Sequence, residues 1–244
     1  MGGEGAGERR GGAILRPYDM VTFDCYGTLI DWKRGISRAF REAAAVDGVP
    51  LDPGTVLTAY AEIEPLVEAE AYRSYRAVLT ETARRVAARL GCPLAEARTH
   101  FLADSLPTWP PFADTNPALR RLAGAGYRLG ILSNVDDDLL ALTLRHFDVS
   151  FELLVTAEQV RSYKPALGHF HAARDRIGAG QWLHAAQSYV HDVAPARSLG
   201  VPVAWINRTG QVAPGRDLPD REFPTLTELA DWLAASVPEG PKRY

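Results

Sequence analysis

Cysteine is scarce in this chain. Its 244 residues hold two, Cys25 and Cys92, far apart and in different contexts. That excludes a disulfide framework and favours a reducing compartment, the cytoplasm. A surplus of one charge is also lacking. Lys and Arg number 27 against 30 Asp and Glu, a formal net charge of −3. Nothing in that balance points to nucleic acid as a partner. No apolar run approaches the roughly 18 residues of a membrane span. Met1 to Gly12 is rich in Gly, Glu and Arg without an apolar stretch, so it does not resemble a secretion signal and reads as a flexible tail. Val212 to Asp220 and Pro238 to Tyr244 read as loop and tail, because Pro, Gly and charge dominate them. What remains is an ordinary globular mix, 46% hydrophobic and 23% charged. It can bury a sizeable core, as one large domain or a core with a smaller insert.

Short β-favouring runs recur along the chain. They are Met20–Phe23, Arg128–Leu132, Leu153–Val155, Leu183–Ala186 and Val203–Ile206. Helical patterns sit between them at Asn116–Ala125, Leu139–His146, Leu167–Ile177 and, more briefly, Pro195–Leu199. Strands alternating with helices indicate βαβ units and a parallel sheet, an α/β fold. The interval from Trp32 to Thr108 differs, because it holds no convincing strand. Ile36–Val46, Gly54–Glu70, Ser74–Leu90 and Leu94–Ser105 all read as helices. The return at Pro107-Thr108-Trp109-Pro110-Pro111 is stiff and proline-rich. The expected organisation is a core of residues 1–31 and 109–244, interrupted by a helical cap at 32–108.

Polar residues collect at the ends of the expected strands. Asp24 and Thr28 follow the first, Ser133 and Asn134 the second, Lys164 the third, and Gln187, Ser188, His191 and Asp192 the fourth. In a parallel sheet these ends converge on one edge although they are distant in sequence. Taken singly, each has a plainer role as a turn, cap or solvated residue. Together they make a site. A carboxylate such as Asp24 can attack carbon or phosphorus and form an ester intermediate. An ammonium such as Lys164 keeps it ionised. Hydroxyl and amide groups such as Ser133 and Asn134 orient a substrate or a departing anion. A second carboxylate, Asp192, can activate the water that hydrolyses the ester.

This order of residues resembles the haloacid dehalogenase-like hydrolase superfamily from about Met20 to Arg208. Asp24-Cys25-Tyr26-Gly27-Thr28-Leu29 looks like its first motif, Ser133-Asn134 the second, Lys164-Pro165 the third and the segment through Asp192 the fourth. The resemblance implies a Rossmann-like parallel sheet of five or more strands, an inserted helical cap, and Asp24 as nucleophile. The phosphatase branch carries Asp-x-Asp in motif one and holds Mg²⁺ with an acid after the fourth strand. Here Tyr26 stands at the second acid's place, and Gln187-Ser188 fall where the metal-binding acid would be. Both changes are similar to the metal-independent 2-haloacid dehalogenase branch. That branch implies no cofactor, a short 2-haloalkanoate as substrate and a 2-hydroxy acid as product. Asp24, Lys164 and Asp192 would be catalytic; Tyr26, Thr28, Ser133, Asn134 and Ser188 would bind. Homodimerisation is a further implication of the resemblance.

The chain also departs from the branch. The expected arginine near the start of the second cap helix is missing from Asp52-Pro53-Gly54-Thr55-Val56. Arg73 is the candidate replacement. Phe170, Tyr189 and His191 stand in place of a tyrosine, an asparagine and a tryptophan. Two alternatives stay open: a Mg²⁺-dependent small-molecule phosphatase of the same superfamily, and a non-catalytic binding protein on this fold.

Overall fold

The computed structural model describes residues 16–95 and 98–236. Six parallel strands form one sheet in the order β3-β2-β1-β4-β5-β6. They are β1 (Met20–Phe23), β2 (Arg128–Ser133), β3 (Leu153–Thr156), β4 (Trp182–Ala186), β5 (Val203–Ile206) and β6 (Arg221–Phe223). The chain leaves β1 toward β2 and β3, then returns across β1 to lay down β4 on its other side. That reversal between β1 and β4 makes the crevice where open α/β sheets bind their ligands. The four residues of β1 are all buried, as are the five of β4. A parallel sheet covered on both faces demands such runs.

Among the described residues, four α-helices fall between β1 and the proline-rich return at 107–111. These are α1 (Trp32–Ala45), α2 (Pro53–Glu68), α3 (Tyr75–Arg89) and α4 (Phe101–Ser105). The first three begin where a side chain accepts from a backbone N–H of the first turn: Asp31 from Arg34, Asp52 from Thr55 and Ser74 from Ala77. Pro53 opens α2 at a position where its missing N–H costs nothing. Ile36, Ala39 and Phe40 bury one face of α1. Gly35 lets that helix meet Trp109 closely, since a Cβ there would sit 2.2 Å from the indole.

The remaining helices flank the sheet: α5 (Thr115–Gly124), α6 (Asp137–Thr143), α7 (Ala157–Val160), α8 (Gly168–Ile177), α9 (Ala194–Ser198) and α10 (Leu226–Ala235). Thus the α/β class and the order of strands and helices agree with the sequence. One expected helix does not: Leu94–Ser105 contracts to Phe101–Ser105. Residues 96–97 within that stretch lie outside the described residues. β6 and α10 have no counterpart in the sequence reading. β6 is only three residues, with two of them exposed, so it carries almost no apolar signal. The expected tails at Met1–Gly12 and Pro238–Tyr244 also lie outside the described residues. Among the described residues, no helix is long and apolar enough to cross a membrane.

Candidate active site

Asp24 follows β1 directly, and its backbone N–H donates to the Ala185 carbonyl of β4 at 3.1 Å. The turn after it needs Gly27, whose φ of +104° is closed to ordinary side chains. Leu29 and Ile30 both donate to the Cys25 carbonyl, which closes the loop. The result aims the Asp24 carboxylate across the carboxyl edge of the sheet, where it is 8% exposed.

Lys164 reaches the same point from the loop after β3. Its Nζ donates to Asp24 Oδ1 at 2.9 Å, to Asp192 Oδ1 at 2.6 Å and to the Leu132 carbonyl at 2.8 Å. Those bonds use all three ammonium donors. Asn134 clamps the loop that carries it: Oδ1 accepts from the Lys164 N–H at 2.7 Å and Nδ2 donates to the Lys164 carbonyl at 3.0 Å. Thr28 Oγ1 donates to Asp24 Oδ2 at 2.9 Å and accepts the Gln187 N–H at 2.9 Å. One hydroxyl therefore ties the Asp24 turn to the end of β4.

The charges follow from this geometry. Burial pushes the Asp24 carboxyl above its ordinary range, with Asp192 adding to the effect while Lys164 opposes it. Burial also resists ionisation of Asp192, but Lys164 and the His184 hydrogen bond outweigh it and hold that carboxyl well below the usual range. For Lys164, burial favours the neutral amine, and the two carboxylates more than reverse this, raising its pKa. Of the two carboxylates held by Lys164, Asp24 is the more basic and so the better nucleophile.

Ser133 ends β2. Its Oγ is buried without a partner, and it lines the cavity beside Asp24. Ser188 also lines it, but its hydroxyl is engaged: it accepts the His191 N–H at 3.2 Å and pairs with His191 Nδ1 at 3.1 Å. Asp192 is presented by a π-helical turn, Tyr189–Val193, a distortion common at working sites. Tyr26 occupies the wall two residues past Asp24. Its hydroxyl pairs with Thr143 Oγ1 at 2.9 Å and its ring meets Trp109 edge-on at 5.9 Å. Burial holds the phenol well above its usual pKa, so it stays protonated.

Arg73 needs correcting. Its side chain turns outward to an ion pair with Glu70 and does not line the cavity. The inward places of that segment are filled by Tyr72, Tyr75 and the Tyr163 ring packed on both. Tyr163 also donates to the Arg73 carbonyl at 2.7 Å, which fixes the backbone with its arginine facing away.

Three features escape the sequence reading. His184, inside β4, bonds Asp192 Oδ1 through Nε2 at 3.1 Å and Thr22 Oγ1 through Nδ1 at 2.9 Å. A carboxylate only accepts, so Nε2 carries the proton. A lone histidine in a buried strand gives no such signal before β1 and β4 are known to be neighbours. Asp136 accepts the N–H groups of Tyr75 and Arg76 at 2.7 and 2.9 Å, holding the start of α3 over the sheet edge. Finally, α2 lines the cavity with Tyr60, Glu64 and Glu68. Acids four residues apart on one helix were visible in the sequence, but which face they occupy was not.

The cavity encloses about 250 Å³, a size for a small molecule. Trp32, Tyr60, Tyr75 and Trp109 form its apolar walls. Among the described residues, no group of three or more His, Cys, Asp or Glu side chains is placed to share a metal ion. The cation between the two carboxylates is the Lys164 ammonium.

Residues 18–188 match the haloacid dehalogenase-like hydrolase family. The chain is 28% identical to an (S)-2-haloacid dehalogenase of Pseudomonas putida over 234 residues, which covers 90% of this chain and 99% of that one. A second (S)-2-haloacid dehalogenase of Pseudomonas putida is 27% identical, covering 89% and 97%. Among solved structures, an L-2-haloacid dehalogenase superposes with a TM-score of 0.78 at 23% identity, covering 88% and 98%, a likeness of fold.

Proposed function

The chain belongs to the haloacid dehalogenase-like hydrolases, and from that premise we propose that it is a metal-independent 2-haloacid dehalogenase acting through an ester on Asp24. The observation that carries this reading is the Asp24–Lys164–Asp192 array opening onto a small, aromatic-walled cavity, with Tyr26 in place of a second acid. Phosphoryl transfer with an alkoxide leaving group wants an acid beside the nucleophile. A buried, protonated phenol tied to Thr143 is a poor one, whereas a halide leaves without a proton. The names of the two Pseudomonas relatives point to the same chemistry.

In the first step Asp24 attacks the α-carbon of a 2-haloalkanoate from the side opposite the halogen. A C–O bond forms, the carbon–halogen bond breaks, and the halide leaves with its electron pair; configuration inverts. Lys164 and Thr28 orient the nucleophile. In the second step water attacks the Asp24 ester carbonyl. Asp192 Oδ2, buried and without a partner, has a free lone pair to accept that water's proton, while Oδ1 stays fixed by Lys164 and His184. Collapse breaks the ester C–O bond; the departing alkoxide takes back the proton held on Asp192 and leaves as the 2-hydroxy acid, and Asp24, left as the acid, gives its proton to solvent. Helices α1–α4 act as the cap, residues 32–108, that keeps bulk water from the ester. Cys25 and Cys92, both buried and free, suit a cytoplasmic setting.

The test is halide release from 2-chloropropionate with and without EDTA. Release unaffected by chelation supports the reading; none from several short haloacids, with folded protein, ends it. Single turnover in ¹⁸O-water checks the ester: the label must enter Asp24 first, and direct labelling of product excludes the covalent route. Turnover of phosphate esters that depends on added Mg²⁺ would favour the phosphatase alternative instead.

A further inference from the structure

A substrate carboxylate entering a closing cavity requires a cation or several convergent donors. The cavity wall offers no arginine, and its one ammonium, Lys164, has its three donors spent on Asp24, Asp192 and a backbone carbonyl. His191 also lines it, but burial drives that imidazole toward the neutral form. What α2 brings to the wall instead is a pair of carboxyls one helical turn apart, Glu64 and Glu68, both half-buried. Among the described residues neither pairs with a base. Glu64 accepts from the Tyr75 hydroxyl at 3.2 Å, and Glu68 lies 3.5 Å from Asn134 Nδ2. On the same cavity, Ser133 Oγ is buried and unpartnered.

We propose that Glu64 and Glu68 anchor the substrate's carboxylate as protonated acids, each donating an O–H hydrogen bond, with Ser133 Oγ as a further donor. This rests on the 2-haloacid reading above and extends it to the groups that select the carboxylate. A hydrogen bond from a carboxylic acid to a carboxylate is short and charge-assisted, so it holds an anion without a cation.

The surroundings favour the protonated form of the pair. Tyr60 on α2 and Tyr75 on α3 are neutral phenols. Opposite them, Asp24 and Asp192 flank Lys164, and Tyr26 adds no charge. On the side of the mouth, Tyr163 and Arg161 line an adjoining cleft together with Glu68, and the arginine guanidinium lies over the Tyr72 ring at 4.5 Å. Burial pushes Glu64 up to about 7 and Glu68 up to about 9, Glu64's charge adding to the latter. An arriving anion pushes both further the same way. Carboxylate binding above neutral pH therefore draws a proton from solvent.

Two arms test this. Propionate, which has the carboxylate and no leaving group, is titrated into the wild-type protein by calorimetry at pH 7.5 in two buffers of different ionisation enthalpy. Net uptake of about half a proton or more per bound ion is expected, from a group titrating near 7. In turnover, KM for 2-chloropropionate rises about tenfold from pH 6 to pH 8. Glu64→Gln keeps a neutral donor, so it binds with proton uptake cut to the small share of Glu68 and with a flatter KM profile, while Glu64→Ala/Glu68→Ala loses affinity at every pH. Binding without proton uptake in the wild type, or a Glu64→Gln enzyme that keeps the full KM slope, overturns the proposal. So does 2-chloropropionamide being used as well as the acid at pH 6. Absence of halide release with proton-linked propionate binding intact would sink the dehalogenase reading alone. Halide release without proton uptake would sink only the anchor.

Discussion

Replacing Lys164 with methionine isolates what its ammonium does for the fold. The side chain is 2% exposed and stands between two buried carboxylates at 2.9 and 2.6 Å. Methionine fills much of the space but leaves both carboxylates without their shared counter-ion, and frees the Leu132 carbonyl. Removing one partner of a buried ion pair costs about 3–5 kcal/mol. For a chain of this length a change of 1 kcal/mol moves the melting temperature by about 2–4 °C. The variant should therefore melt roughly 6–20 °C lower at pH 8. The deficit should shrink toward pH 5. Without the ammonium, Asp24's native pKa rises further above its unfolded value, so the stability it gives is present at low pH and lost as pH increases. Asp24→Asn combined with Lys164→Met removes one uncompensated charge, and Asp192 keeps its bond from His184. The double variant should recover a substantial part of the loss, a coupling that differential scanning calorimetry of the four proteins measures directly. If Lys164→Met melts within about 2 °C of the wild type at pH 8, or Asp24→Asn restores nothing, the ammonium is not the counter-ion of the pair.

Other expectations follow from particular contacts. Ser133→Ala removes an oxygen that bonds nothing in the protein, so chemical denaturation should move by no more than about 0.5 kcal/mol while kcat/KM for the haloacid falls. Asp136→Ala frees two N–H groups at the start of α3 and should cost about 2 kcal/mol in urea unfolding, with faster hydrogen exchange at Tyr75 and Arg76. Glu64 and Glu68 have native pKa values raised by burial, so the folded state binds more protons than the unfolded one between about pH 4.5 and 9. Stability falls as pH rises through that window, and Glu64→Gln/Glu68→Gln should flatten the fall measured by thermal melts across it.

Much of the site was legible because its residues sit at strand ends. Asp24, Ser133-Asn134, Lys164 and Asp192 each follow an apolar run, and parallel topology forces such ends together. The glycine turn and the tyrosine two residues past Asp24 were equally readable. Arg73 was not, since a helix-start arginine gives no sign of which way it turns. Here Tyr72, Tyr75 and Tyr163 take the interior and leave it to Glu70. The expected helix Leu94–Ser105 is shorter in the structure, where the α-helix among the described residues is Phe101–Ser105. β6 went unread because a three-residue edge strand offers too short a pattern to detect, whereas α10 was legible in the i, i+3, i+4, i+7 spacing of Leu226, Leu229, Ala230 and Leu233 and was missed.

The sequence by itself determined the α/β class, the long helical interval between the first two strands, and the set of strand-end residues, Asp24, Lys164 and Asp192, that the fold brings together. These depend on local pattern and on a topology that admits few alternatives. Only the tertiary structure decided how those groups are charged and what surrounds them. It placed Lys164 between two carboxylates, brought His184 of β4 under Asp192, and put Glu64 and Glu68, with no arginine, in the cavity lining. The reason is physical: protonation depends on burial and on neighbours within a few ångströms, and those neighbours come from segments more than a hundred residues apart.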